Sequence, residues 1–253
     1  MTPEEWRAAI LAAPNDAVRT VKAVTFLKSW PSYSKPVAVS CDDGGRYVIK
    51  GAQIGRAIIN DHIVGRLGAL IDAPVSEVVF VDATDLAGIE PQVAHVQHGL
   101  AHGTRLIPDT SDRLRYEYAA RLENRERFAA LCTLYSWAGC FQDHQFIYEE
   151  NPPHAVYSVD HGHFFPGGPN WTVAGIQGPP AAVIDGDFSS CALTQPELRP
   201  PLHRLRKVDP NDIATIVAGP PADWTLDISE RVALADYLLE RRNQVLASVA
   251  RWL

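Results

Sequence analysis

The sequence predicts an α+β fold of two lobes, β-rich first and helical second, and three observations carry that expectation. Runs rich in β-branched residues, separated by polar turns, crowd the first hundred residues. Apolar residues recur at helical spacing through much of the second half. A stretch dense in Gly and Pro, from 166 to 201, interrupts those helices. The chain has 253 residues, 46% of them hydrophobic, enough for one large domain with a sizeable core.

Thr2, Pro3 and Glu5 form a helix start: a hydroxyl cap, a proline at the first helical position and an acid in the first turn. That helix carries Trp6, Ile10 and Leu11 on one side and stops before Pro14. Strands are expected at Val18 to Leu27, Pro36 to Ser40 and Tyr47 to Lys50, with Asp42-Asp43-Gly44-Gly45 as a hairpin turn. From Arg56 to Leu70, Ile59, Ile63, Val64, Leu67 and Leu70 recur at helical spacing. Two further strands are expected at Glu77 to Val81 and Gln92 to Val96.

The helical half opens with a strongly apolar helix, Asn124 to Ala138. Two short strands follow, Gln145 to Tyr148 and Ala155 to Val159, separated by Asn151-Pro152-Pro153. The segment 166–201 is expected to be an ordered but irregular loop. Asp209-Pro210 opens a helix to Val217, and Asp227 opens an amphipathic helix that runs to the end of the chain. The expected organisation is a single domain, 1–253, with a β-rich lobe over 1–98 and a helical lobe over 99–253, joined near Gln97 to Thr104.

A net charge of −7 gives no global basic field, which argues against nucleic acid and anionic membrane as partners. Cys41, Cys132, Cys140 and Cys191 form no C-x-x-C pair and read as reduced, buried thiols. The first residues lack the basic and apolar regions of a signal peptide, and no apolar stretch reaches the ~18 residues of a membrane span. A soluble, cytoplasmic protein is the expectation.

Four residues stand out for chemistry. Lys50 ends a strand, where a phosphate could lie beside it, although such a lysine is also often a solvated one. Asp61 sits on the next helix and could pair with Lys50 or form that helix's wet side. Asp143 lies in a short loop between a buried helix and a buried strand, a position that suits a general base and equally a turn-capping aspartate. Asp160 ends a strand at a tight turn before Gly162, a common placement for a hard oxygen ligand on Mg²⁺. The order of lysine, helix acid, loop acid and strand-end acid is that of a phosphoryl-transfer site.

On these residues the chain resembles the HipA-like kinases, small bacterial relatives of the protein-kinase and phosphoinositide-kinase fold. The resemblance runs from about Val18 to Phe165 and rests on five motifs: Tyr47-Val48-Ile49-Lys50-Gly51, Asn60-Asp61 with Val64-Gly65-Arg66-Leu67, Ile71-Asp72-Ala73-Pro74-Val75, Asp143-His144, and Val159-Asp160-His161-Gly162. It implies a two-lobed kinase-like fold with an N-terminal antiparallel sheet and one main helix. It further implies ATP and Mg²⁺ as cofactors and a protein serine or threonine hydroxyl as acceptor. Lys50 would contact the phosphates, Asp61 would stand for the usual glutamate, Asp143 would be the base and Asp160 the Mg²⁺ ligand. The segment Gln97 to Gly103 would be the hinge beside the adenine, and the loop Ser29 to Ser34 would cover the phosphates. A protein substrate and an antitoxin-like or regulatory protein are the implied partners.

The chain departs from that pattern at three places. The catalytic loop is shortened and lacks its asparagine, leaving Gln145 as the nearest second metal ligand. The phosphate-covering loop has no glycine between Ser29 and Pro36, so the Ser32 and Ser34 hydroxyls would meet the phosphate instead. Asp61 is one methylene shorter than glutamate. These departures keep open a second reading, a pseudokinase or nucleotide-binding interaction module without turnover. A third, a metal-dependent hydrolase, would draw on His95, His98, His102, His144, His161 and His163 around Asp143 and Asp160.

Overall fold

A computed structural model describes residues 1–14, 18–96, 99–112, 116–140, 144–177 and 184–249. The chain opens with helix α1 (Pro3–Ala12), closed at its N-terminus by the expected capping box between Thr2 and Glu5. Strands β1 (Thr20–Ser29), β2 (Val37–Cys41) and β3 (Arg46–Lys50) then run as an antiparallel meander, followed by helix α2 (Ala57–Leu70) and strand β4 (Val78–Asp82). After the single-turn helix α3 (Thr84–Ala87) comes strand β5 (Leu100–Arg105). The order is β1-β2-β3-β5-β4, and parallel pairing of Thr20–Lys22 with Phe80–Asp82 closes it into a five-stranded barrel instead of the open antiparallel sheet expected.

Two expectations about this half are corrected. Residues 92–96 form no strand: Val93 and Val96 donate backbone hydrogen bonds to Glu90 and Val93, three residues back, and Ala94–Val96 is a short 3₁₀ turn. The fifth strand is β5, which pairs with both β3 and β4. The expected hinge at 97–103 and the crossing near Gln97 to Thr104 therefore fall largely within the barrel. The connection to the helical part follows Arg105. Gln97 and His98 lie outside the described residues.

Past β5, strands β6 (Thr110–Asp112), β7 (Phe146–Glu149) and β8 (Val156–Ser158) make a small antiparallel sheet flanking helix α4 (Leu122–Ala138). The single turn α5 (Val173–Ile176) is followed by α6 (Gln195–Lys207), α7 (Pro210–Ala218) and α8 (Ile228–Val249). The end of the segment read as irregular is thus helical: α6 begins at Gln195 and contains Pro200 and Pro201 in its interior. Its start is fixed by a Thr194–Glu197 capping box, and Arg125 grips the Glu197 carboxylate through two nitrogens at 2.6 and 2.7 Å.

The apolar interior divides in two. One cluster fills the barrel with Val21, Val37, Val39, Tyr47, Ile49, Val79 and Val81. The larger one joins α4, α7 and α8 to Ile58, Ile59, Ile63, Val64 and Leu67 of α2, so α2 packs its apolar residues mainly into the helical core. Helix α1 also belongs there: Trp6 is fully buried and its indole donates to Asp236 on α8. No helix among the described residues is long and apolar enough to cross a membrane.

Candidate active site

Strand alternation explains which residues reach the cleft between barrel and helices. In β3, Tyr47 and Ile49 point into the barrel, so Val48 and Lys50 point out of it. In β5, Ala101 lies in the barrel core, while His102 and Thr104, which pair with Lys50 and Val48, face the cleft. The cleft holds about 290 Å³. Lys50, Asp61 and Asp160 line it together with Ser32, Gln145 and His102, and Val48, Leu106, Ile107 and Ile147 give it apolar walls. Surface grooves of about 510 and 530 Å³ lie elsewhere, but neither is lined by this charged group.

Lys50 is the centre of the site. Its ammonium donates to Asp61 Oδ2 at 2.7 Å and to Asp160 Oδ1 at 2.5 Å. The Lys50 and Asp61 side chains are 9% and 4% exposed, whereas Asp160 is 35% exposed and open to the cleft. Burial alone would lower the Lys50 pKa, but the two carboxylates outweigh it and raise it above the ordinary lysine value. Burial alone would raise that of Asp61, but the Lys50 charge and the His161 hydrogen bond hold it well below the carboxylate range. The pair stays ionised.

Asp160 sits just past β8 in a left-handed conformation, φ +60°, one that aspartate tolerates better than most residues. The loop that carries it is fastened to α2 by two consecutive residues. Asp61 Oδ1 accepts the His161 backbone N–H at 2.9 Å. Asn60, fully buried, donates its amide to the carbonyls of Gly162, Phe164 and Gly168 and accepts from the Trp171 indole. A Cβ at Gly162 would lie 2.9 Å from that of Ala57, so this close approach to α2 requires glycine. His161 is braced in turn: its Nε2 meets the Ser158 hydroxyl at 2.9 Å, which meets the Tyr135 hydroxyl at 2.6 Å.

The structure thus brings Lys50, Asp61, Asp160, Gln145 and Ser32 to one cleft. Ser34 does not line it; the Ser34 carbonyl accepts from Gln53 instead. Asp143 lies outside the described residues.

The histidines that the hydrolase reading would draw on do not gather with one another among the described residues. His95 hydrogen-bonds the Lys35 carbonyl, His102 lies inside the cleft, His161 braces the Asp160 loop and His163 is exposed. His98 is outside the described residues. The group that does form is His144 with Asp185 and Asp187. Asp185 Oδ2 lies 2.7 Å from His144 Nε2, and Asp187 Oδ2 lies 3.4 Å from Nδ1. Carboxylates on both sides of the ring fix its orientation directly after residue 143.

Sequence reasoning gave no role to Asn60 or Asp185, and it read His102 as a candidate metal ligand instead of a cleft residue beside Lys50. Only His102 left a signal, its place in register with Lys50, and that depended on recognising β5. His62 and His102 are buried with no hydrogen-bond partner among the described residues, and His62 stacks on Phe80 at 4.8 Å. Burial pushes the His102 pKa down to about 4 and that of His62 well below the ordinary histidine value, so both are neutral at pH 7.

No protein-family model matches the chain, and no curated protein does. Among solved structures it is similar to the Helicobacter pylori proinflammatory kinase CtkA, with a TM-score of 0.61 and 9% identity over 92% of this chain and 98% of that one. It also matches the Golgi casein kinase, with a TM-score of 0.49 and 10% identity over 98% of this chain and 76% of that one. The CtkA likeness, spanning nearly all of both chains, shows that this chain has a kinase-like fold.

Proposed function

We propose that the chain is an ATP- and Mg²⁺-dependent phosphotransferase of the HipA-like kind, acting on a serine or threonine hydroxyl of a protein. The observation that carries this reading is the Lys50 ammonium shared between buried Asp61 and cleft-facing Asp160. A cation fixed by one acid beside a second, more open acid suits a site that holds phosphate next to a metal ion.

The residues fit both cofactors. Asp160 and Gln145 offer the cleft a carboxylate and an amide oxygen, hard donors of the type Mg²⁺ prefers. The apolar walls formed by Val48, Leu106, Ile107 and Ile147 suit a flat base. Mg²⁺ bound there would offset phosphate charge during transfer. Lys50 holds the phosphates, Asp61 holds Lys50, and Asp143 orients the acceptor hydroxyl and takes its proton. A protein substrate is the partner this chemistry requires, and an antitoxin-like regulator is the second partner the HipA-like reading implies.

One feature favours a second reading, a pseudokinase: the shortened loop supplies Gln145 where an asparagine is usual. A transfer assay separates the two. With γ-labelled ATP, Mg²⁺ and a serine- and threonine-containing protein acceptor, the wild type transfers label. Asp143→Ala binds ATP equally well but transfers it at least about 100-fold more slowly, as expected for a lost general base. ATP binding without transfer by the wild type selects the pseudokinase, and unchanged transfer by the variant removes Asp143 from the base role.

A further inference from the structure

We infer that Lys28, held against the ring of Trp30, is the cation that receives the outer phosphates of the nucleotide. The inference rests on the nucleotide-binding reading above and adds to it a group that the motif pattern does not contain.

The cleft is short of positive charge. Lys50 is the buried cation of the cleft, and both Asp61 and Asp160 already contact it. Two carboxylates around one ammonium leave the protein side of the cleft net negative, and one Mg²⁺ on Asp160 would bring it only to about +1, against a triphosphate that itself carries about four negative charges. His102 is held neutral by burial and adds no positive charge at pH 7. Arg105 lines the cleft but is directed to the Tyr47 hydroxyl at 3.3 Å and Glu77 at 3.7 Å. Lys28 also lines the cleft, is exposed, and among the described residues has no carboxylate partner. Its one contact of note is with Trp30, whose ring centroid lies 4.4 Å from the ammonium.

The covering loop is also built to keep its backbone at a distance. With no glycine between Ser29 and Pro36, its backbone cannot approach a phosphate as closely as a glycine-rich loop can. The loop is also tied back. The Trp30 N–H donates to the Pro36 carbonyl, Gln53 donates to the Ser34 carbonyl at 3.3 Å, and His95 Nε2 donates to the Lys35 carbonyl at 2.8 Å. The segment is therefore pinned at its base and along its return arm, and a long side chain from the end of β1 can reach where its backbone does not. An ammonium on a flexible stem, steadied by an indole face, is such a group.

The test compares wild type, Lys28→Met and Lys28→Arg by calorimetric titration with Mg-ATP, inorganic tripolyphosphate and adenosine. Lys28→Met is expected to bind Mg-ATP and tripolyphosphate about tenfold more weakly, the loss of one charge-assisted contact, and adenosine with unchanged affinity. Lys28→Arg, which keeps the charge, restores most of the affinity. Wild-type binding of Mg-ATP that Lys28→Met leaves unchanged overturns the assignment of Lys28 alone. An equal loss for adenosine also overturns it, because the residue would then act on the fold of the loop. A wild type that binds neither ATP nor tripolyphosphate overturns the nucleotide reading, and this inference with it.

Discussion

Lys50 lies between two acids of different burial, and that difference sets what its removal should do. Asp61 is 4% exposed and depends on Lys50 for its charge partner, whereas Asp160, 35% exposed, can turn to solvent. Lys50→Met should therefore destabilise the protein by about 3–5 kcal/mol, because it leaves a buried carboxylate unpaired. Adding Asp61→Asn, which keeps the shape and the hydrogen bond from His161, should recover most of that loss. Urea midpoints of the two variants check this, and equal midpoints for the single and double variants would show that burial of Asp61 is not what Lys50 compensates. Lys50, Asp61 and Asp160 were legible in the sequence because each ends or rides an element with a clear pattern. Asn60 was not, because its four partners lie in 162–171, about a hundred residues along the chain. Asp185 was hidden for the same reason: its meaning depends on His144, brought beside it only by the fold.

At the scale of elements, sequence pattern succeeded where a segment is long and rich in apolar residues and failed where neighbours override composition. Helices α2 and α4 were found by their apolar content, although both are buried on nearly all sides: residues 58–65 of α2 and 128–138 of α4 are buried without interruption. Residues 92–96 hold two valines and read as a strand, but Pro91 precedes them and their hydrogen bonds are local. Strand β5, Leu-Ala-His-Gly-Thr-Arg, has few residues that favour strands. Its Gly103 is there for contact: a Cβ would come 2.6 Å from a Val81 methyl of β4. Barrel pairing on both sides therefore decides the strand. Helix α6 is the opposite case, with prolines in its interior and anchors that outweigh them, the capping box and the Arg125–Glu197 clamp. The 166–201 segment read as irregular because the clamp joins residues 72 positions apart.

At the scale of the whole molecule, barrel closure pairs residues 20–22 with 80–82, and the docking of α1 on α8 brings the first helix against the last; neither could be read from local pattern. The same burial predicts a pH response. The unfolded chain takes up protons on His62 and His102 near pH 6.5, but burial keeps His102 neutral down to about 4 and holds His62 well below its ordinary value. Stability should fall as pH drops from 6.5 toward 4, by up to about 3 kcal/mol for His102 alone. The contribution of Asp61, whose pKa is held below the usual range, is lost only at lower pH. His62 stacks on Phe80 without a hydrogen-bond partner among the described residues, so His62→Phe should preserve packing and make the decline shallower. Urea midpoints at pH 7 and 4.5 check this, and an unchanged decline would remove His62 from the response. The central claim is that the cleft binds a metal-bound nucleotide through Asp160. Its most direct test is calorimetric titration of wild type and Asp160→Ala with ATP, with and without Mg²⁺. Saturable, Mg²⁺-dependent binding by the wild type and loss of that dependence in the variant are expected, whereas Mg-ATP affinity undiminished in Asp160→Ala, or no binding by the wild type, would contradict this role of Asp160.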